Sequence, residues 1–146
     1  NLEVGEMQNH KAGGAPELVL LATKVHPTGS LTVIEAGMEG LFPVERVYFL
    51  HSLAKDSLRG SHAHKKLFQL IIPVSGSFLV RTETGGTQTN FVMDSPTTGL
   101  LLKPFTWRTL LDFSPGAVCM VLASEHYDES DYIRDYAEFL SFYPSG

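Results

Sequence analysis

Arg59-Gly60-Ser61-His62-Ala63-His64-Lys65-Lys66 runs directly into Leu67-Phe68-Gln69-Leu70-Ile71-Ile72-Pro73-Val74, then Ser75-Gly76, then Ser77-Phe78-Leu79-Val80-Arg81-Thr82. The blocks on either side of Ser75-Gly76 are rich in residues that suit a pleated surface. A two-residue Ser-Gly loop between such blocks predicts a β-hairpin. Successive side chains of an extended segment alternate between faces, so His62 and His64 point the same way. Two imidazoles on one face of a strand leading into a hairpin point to metal binding or acid–base chemistry more than to packing.

Runs of the same texture extend in both directions, at 18–25, 31–35, 46–50, 90–93, 99–103, 106–111 and 117–123, with turns at Pro27-Thr28-Gly29 and Gly85-Gly86. Short strands at this spacing predict an all-β sandwich or barrel. One helix is predicted, over 131–140. Tyr132, Ile133, Tyr136, Phe139 and Leu140 form a one-face stripe there, and Asp128, Ser130 and Asp131 are its N-cap candidates. Its tyrosines read as core and rim of a helix laid over the β structure. Residues 1–16 are polar, contain Gly13-Gly14 and keep no period. They are set apart as a linker, a flexible arm or an expression remnant, leaving 17–146 as a single domain.

The chain of 146 residues is long enough for one well-buried core, and 43% hydrophobic with 18% charged content is globular. Eleven basic and 16 acidic residues give a net charge of −5, with no basic run. That argues against nucleic acid or an anionic membrane as partner. A few placed arginines can still bind an anion locally. Cys119 is the single cysteine and sits in an apolar run, so it reads as a buried thiol with no intramolecular disulfide. No apolar stretch approaches the roughly 20 residues of a membrane helix, and no signal-peptide pattern opens the chain. The expected location is the cytoplasm.

Two chemistries compete for the histidine pair. His-x-His opens the cupin metal motif, which adds a carboxylate a few residues on and a third histidine from a later strand. Here Gln69 holds the carboxylate position, Gly76 keeps the spacing, Thr109 is nearest to the third histidine's place, and no histidine lies between His64 and His126. Two imidazoles and a neutral amide make a poor site for a divalent cation. The other chemistry is proton transfer by the imidazoles themselves. Two of them on one face can serve adjacent carbons of a substrate in a keto–enol shuffle, if a cation or donor holds the enediolate oxygen. Arg59 and Tyr48 are candidates for that.

Arg-Gly-x-His-Ala-His-Lys, Gln69 and Val-Ser-Gly-Ser at 74–77 form an ordered set with Arg46-Val47-Tyr48 upstream. Pro104, Trp107-Arg108, and Ala-Ser-Glu-His-Tyr-Asp-Glu at 123–129 before Asp131-Tyr132-Ile133-Arg134 continue it. Over 18–142 the chain thereby resembles the sugar 3,4-ketoisomerases that act on dTDP-4-keto-6-deoxyglucose. The resemblance implies a cupin-like jelly-roll β-barrel with one short C-terminal helix, usually a homodimer with exchanged N-terminal strands. It implies isomerisation of the 4-keto sugar to the 3-keto sugar, without cofactor or metal. The product goes to an aminotransferase and an acyltransferase, towards 3-amino-3,6-dideoxy sugars of bacterial surface polysaccharides. Some members are fused to a hexapeptide-repeat acetyltransferase, which leaves room for this chain to be a domain of such a fusion.

Carried over by position, His62 and His64 are the catalytic pair, with His64 as the carbon base. Tyr48 and Arg59 orient the sugar and stabilise the enediolate. Arg108 meets the diphosphate, Trp107 packs near the nucleotide, and Gln69 and Lys65 complete the substrate-binding set. The tract Phe49-Leu50-His51-Ser52-Leu53 has fewer tyrosines than the family. A metal-dependent cupin enzyme and a non-catalytic nucleotide-sugar binding module remain as alternatives.

Overall fold

The computed structural model describes residues 14–143, so segment 1–13 of the proposed arm lies outside the described residues. The strands are β1 (Glu17–Leu20), β2 (Ala22–Lys24), β3 (Leu31–Val33), β4 (Arg46–Leu50), β5 (Arg59–His64), β6 (Gln69–Ser75), β7 (Phe78–Thr84), β8 (Thr87–Met93), β9 (Thr98–Leu102), β10 (Trp107–Leu111), β11 (Val118–Ala123) and β12 (Tyr132–Ile133). A 3-10 turn at Glu129–Asp131 precedes β12, and one helix, α1 (Tyr136–Ser141), follows it. The all-β jelly-roll reading with a short C-terminal helix holds. Two five-stranded antiparallel sheets are ordered β1-β9-β6-β11-β4 and β12-β5-β10-β7-β8, beside a β2-β3 ribbon. Among the described residues no ladder joins the two large sheets into a closed ring. No helix among them is long and apolar enough to cross a membrane.

Period-two alternation explains the layers. From the first sheet, Ile71, Leu100, Leu102, Cys119 and Val121 pack against Phe78, Val80 and Leu110 of the second, forming the inter-sheet core with Met93 and Phe113. The intervening Leu70, Ile72, Leu101 and Leu122 face the other way, where Leu21, Leu41, Phe42 and Phe68 cover them. A strand covered on both faces reads as a continuous apolar run, which is the texture of β6.

The Ser75-Gly76 turn is not the predicted hairpin. β6 pairs with β9 and β11, whereas β7 pairs with β10 and β8, so the chain changes sheets at Gly76. Ser77 exchanges hydrogen bonds with Ser114 instead, at 2.8 and 2.9 Å. Gly76 has φ +68°, and a Cβ there would lie 2.5 Å from Ser114 Oγ and 2.9 Å from the Ala117 Cα. The glycine is needed for a tight corner between layers. The true two-residue hairpin joins β7 to β8 through Gly85-Gly86, both at positive φ, with Thr84 opposite Thr87.

Two other expectations change. The run at 18–25 breaks at buried Leu21, between β1 on the first sheet and β2 in the ribbon. The helix starts later than 131: Tyr132 and Ile133 pair with His64 and Ala63 as β12. Asp135 is the cap, accepting from Ala137 N–H at 3.1 Å. The free edge of β5 offers ladder bonds, and an aromatic next to a β-branched residue suits them better than a first helical turn. Phe139 of α1 then packs with Ala63 and Ile133 on the outer face of the second sheet.

Candidate active site

The inter-sheet space changes character along its length. Gln69 lies one inward step before Ile71 on β6, and Arg108 one inward step before Leu110 on β10. Arg108 stands opposite His62 on β5 and Thr82 on β7. β5 carries a bulge beside this point, because Arg59 aligns with Leu110 while His62 aligns with Arg108. Gly60 (φ +97°) and Ser61 (φ +31°) make the bulge. In a regular strand Arg59 and His62 would face opposite ways; here both line one cavity. That cavity holds about 170 Å³ and is walled by Tyr48, Arg59, His62, Gln69 and Arg108, with Ile71, Leu110 and Val121 at its apolar side.

Arg108 is only 2% exposed. Its Nε donates to Thr106 O at 3.2 Å, one Nη donates to Gln69 Oε1, and the other Nη has no partner. Burial lowers its pKa to about 10, opposed by Tyr48, so it stays a cation at neutral pH. Gln69 also donates through Nε2 to the Tyr48 hydroxyl at 2.9 Å. Burial raises the pKa of that phenol, against the pull of Arg108, and keeps it protonated. A carboxylate at position 69 would neutralise the guanidinium. The amide leaves Arg108 with one Nη unpartnered on the cavity wall, with Asp131 the carboxylate whose charge it feels.

The imidazoles stand edge to face, with Nε2 atoms 3.1 Å apart and ring centres at 4.8 Å. His62 Nδ1 contacts the Gly60 carbonyl. Burial, reinforced by Arg108 and His64, lowers the His62 pKa to about 2. Burial lowers that of His64 to about 4, with the hydrogen bond to Asp131 working the other way. His64, the expected carbon base, is 1% exposed and lies behind His62, which is the ring on the cavity wall.

Trp107 does not reach the cavity. It is the strand neighbour of inward-facing Arg108, so it points outward and packs on Tyr136 and Phe139 at 5.3 and 5.6 Å. Lys65 is exposed and does not line the cavity either; its backbone N–H is bonded to the Asp131 carbonyl. Thr109 also faces away, 3.3 Å from Ser61 Oγ. The inward position next to it, where a third imidazole ligand would have to stand, is Arg108.

A family model described as FdtA, WxcM-like, C-terminal matches residues 16–143. The chain belongs to this WxcM-like family. Among its relatives, the TDP-4-oxo-6-deoxy-alpha-D-glucose-3,4-oxoisomerase of Aneurinibacillus thermoaerophilus is 41% identical over 114 residues, covering 78% of this chain and 82% of that protein. The sugar 3,4-ketoisomerase QdtA of Thermoanaerobacterium thermosaccharolyticum, solved in complex with TDP, superposes with a TM-score of 0.83 at 37% identity, over 86% of this chain and 92% of its own. The TDP-quinovose 3,4-ketoisomerase WlaRB of Campylobacter jejuni gives 0.82 at 36%, over 86% and 97%.

For this WxcM-like chain, sequence reasoning missed three site residues. Asp131 Oδ2 lies 3.1 Å from His64 Nδ1. The Tyr132 ring lies 4.3 and 4.8 Å from the rings of His64 and His62. Arg46 holds a buried Nε with no partner, its guanidinium 5.4 Å from the Tyr48 ring. All three sit in blocks quoted for the family resemblance. What hid Asp131 and Tyr132 was their assignment to a helix.

Proposed function

We propose that this chain is a metal-independent isomerase that converts dTDP-4-keto-6-deoxy-D-glucose to its 3-keto isomer through an enediolate. The observation that carries the reading is a buried, partly unpartnered guanidinium, Arg108, sharing one cavity with the imidazole of His62. A cation buried without a carboxylate is costly unless the ligand supplies negative charge, and an enediolate oxygen supplies it during reaction. Both imidazoles sit below their ordinary pKa, so they are neutral near pH 7 and able to accept a proton.

His62 takes the proton from C3, and the C–H electrons form the C3–C4 double bond. The O4 oxyanion that results is held by Arg108. Protonation at C4 and transfer of the O3 proton to O4 leave a ketone at C3 and a hydroxyl at C4, so atoms and electrons balance without an oxidant. Tyr48 and Arg59 orient the sugar, with Gln69 holding Tyr48 and Arg108 in place. Arg108 is committed to the reacting end and is not assigned to the diphosphate. The donor set suits this chemistry better than a metal: two imidazoles face a guanidinium and an amide, and a divalent cation prefers anionic or neutral lone-pair ligands.

The relatives named above support the substrate class, and the 3-keto product suits transamination to a 3-amino-3,6-dideoxy sugar. A homodimer accords with the exposed apolar side chains of Leu18, Leu20, Val47 and Phe49, which are 54–82% accessible. A cytoplasmic location fits a nucleotide-sugar substrate and the buried, unpaired Cys119. The test is NMR of dTDP-4-keto-6-deoxyglucose incubated with the protein in deuterated buffer. The expected result is a 3-keto product carrying solvent deuterium at C4, and no such product with His62→Asn. Tight binding without exchange at C3 would instead favour the binding module, and activity lost to a chelator would favour a metal enzyme.

A further inference from the structure

Position 69 joins two polar groups that face the cavity from opposite sheets. Tyr48 stands on β4 and Arg108 on β10, and Gln69 of β6 is bonded to both. Gln69 and Arg108 are buried, at 3% and 2% exposure, so water does not compete for the bond between them. An amide has one accepting end and one donating end, whereas a guanidinium only donates. Arg108 Nη therefore meets Oε1, and that choice turns Nε2 towards Tyr48. The amide nitrogen has no lone pair to offer, so across 2.9 Å the Tyr48 oxygen accepts.

The phenol hydrogen is thereby excluded from the bond with Gln69. Among the described residues no acceptor is bonded to it, and Tyr48 lines the cavity. The polarity runs one way, from Arg108 through Gln69 to Tyr48, and ends in a donor. Hydrogen bonds in series polarise one another, so a phenol that accepts on one side donates more strongly on the other. A glutamate at position 69 would break this order. Beside Arg108 it would be ionised, and a carboxylate only accepts. Guanidinium and phenol would then both donate to it, and the phenol hydrogen would turn away from the cavity.

We propose that Gln69 is a positioning residue whose amide polarity aims the Tyr48 hydroxyl into the cavity as a hydrogen-bond donor to the sugar. Both ends of the amide are engaged by protein groups, and Gln69 acts through Tyr48. For its effect on rate this rests on the ketoisomerase reading; for the direction of the hydrogen bonds it does not.

A double-mutant cycle separates aiming from packing. In the native background Tyr48→Phe removes a donor to the reacting sugar and should cost on the order of 10²-fold in kcat. In Gln69→Glu, which keeps the side-chain volume, the hydroxyl is already turned away. Adding Tyr48→Phe there should cost less than about threefold. Neutralisation of Arg108 slows Gln69→Glu and the double variant alike and drops out of the ratio. The same factor in both backgrounds overturns the proposal, and so does a single Tyr48→Phe variant within about threefold of native kcat. Protein labelled with 13C at the tyrosine Cζ gives a readout independent of turnover. The Tyr48 signal, identified by its loss in Tyr48→Phe, should move downfield in Gln69→Glu as the phenol becomes a donor to the carboxylate. An unmoved signal in the folded variant overturns the proposal. In the native protein the same signal should move downfield at saturating keto-sugar, and a fixed signal there overturns it even if Gln69→Glu does not fold. Failure of the native protein to isomerise the keto-sugar would instead remove the ketoisomerase reading, and the signal in Gln69→Glu would still judge the polarity at position 69.

Discussion

The space between the two sheets has two ends of opposite character. At one end Ile71, Phe78, Val80, Leu100, Phe113 and Cys119 close on each other, each at most 3% exposed. At the other, one inward step from Ile71 on β6 and from Leu110 on β10, stand Gln69 and Arg108, with His62 of β5, around a cavity of about 170 Å³. The apolar end gains stability from dense packing. The polar end spends some of it, holding a cation and two imidazoles out of water. The difference shows that one fold separates the two tasks by distance along its strands. The cost of the site is tolerable because the core beside it is complete.

Three measurements can break or sharpen that contrast. The largest effect is expected for Arg108→Met. Loss of a donor aimed at a developing oxyanion costs about 10²–10³-fold in kcat. Replacing the guanidinium by an apolar chain removes the desolvation penalty of a buried cation but leaves Gln69 Oε1 and Thr106 O without its N–H groups, so the two effects oppose each other. The melting temperature should therefore change little while steady-state activity collapses. A large drop in melting temperature would mean the guanidinium is part of the structural core.

Leu100→Ala reverses the signs. Leu100 is 0% exposed in the apolar end, and deleting a buried leucine side chain costs about 2–5 kcal/mol. The urea midpoint should fall by a corresponding amount, with kcat of the folded fraction nearly unchanged. Equal losses in both would show that the two ends are mechanically coupled.

The smallest effect is in pH. His62 and His64 have folded-state pKa values of about 2 and about 4, below the 6.5 of an ordinary imidazole. From 6.5 down to about 4 for His64 and to about 2 for His62 the unfolded chain binds more protons than the folded one, so stability is full above 6.5 and is lost as pH falls through those windows. The urea midpoint should be flat at neutral pH and decline below 6.5, with a shallower decline in His62→Asn. A midpoint that rises on acidification would contradict a neutral pair.

Much of the fold was legible because its signals are local. Alternation on β10 and the His-x-His spacing on β5 depend only on the two-residue period of a strand. The same period, applied strictly, would have set Trp107 and Arg108 on opposite faces and removed Trp107 from the site. The Ser75-Gly76 turn misled because a tight turn reports that the chain bends, not which layer it enters. Gly76 is fixed by Ser114 and Ala117, nearly 40 residues away. Asp131 and Tyr132 lay in a segment whose apolar spacing fits a helix. They became a turn and a strand because β5 had an edge to fill.

The sequence alone determined the β texture, the shared face of His62 and His64, and the loss of a carboxylate at Gln69. Each is settled by residue type and by neighbours a few positions away. Tertiary structure decided which imidazole meets the cavity, that Arg108 rather than Thr109 faces it, and that Asp131 backs His64. Those facts depend on strand register, a bulge at Gly60-Ser61 and the docking of 128–133 on β5. They are contacts between distant parts of the chain, and no local pattern encodes them.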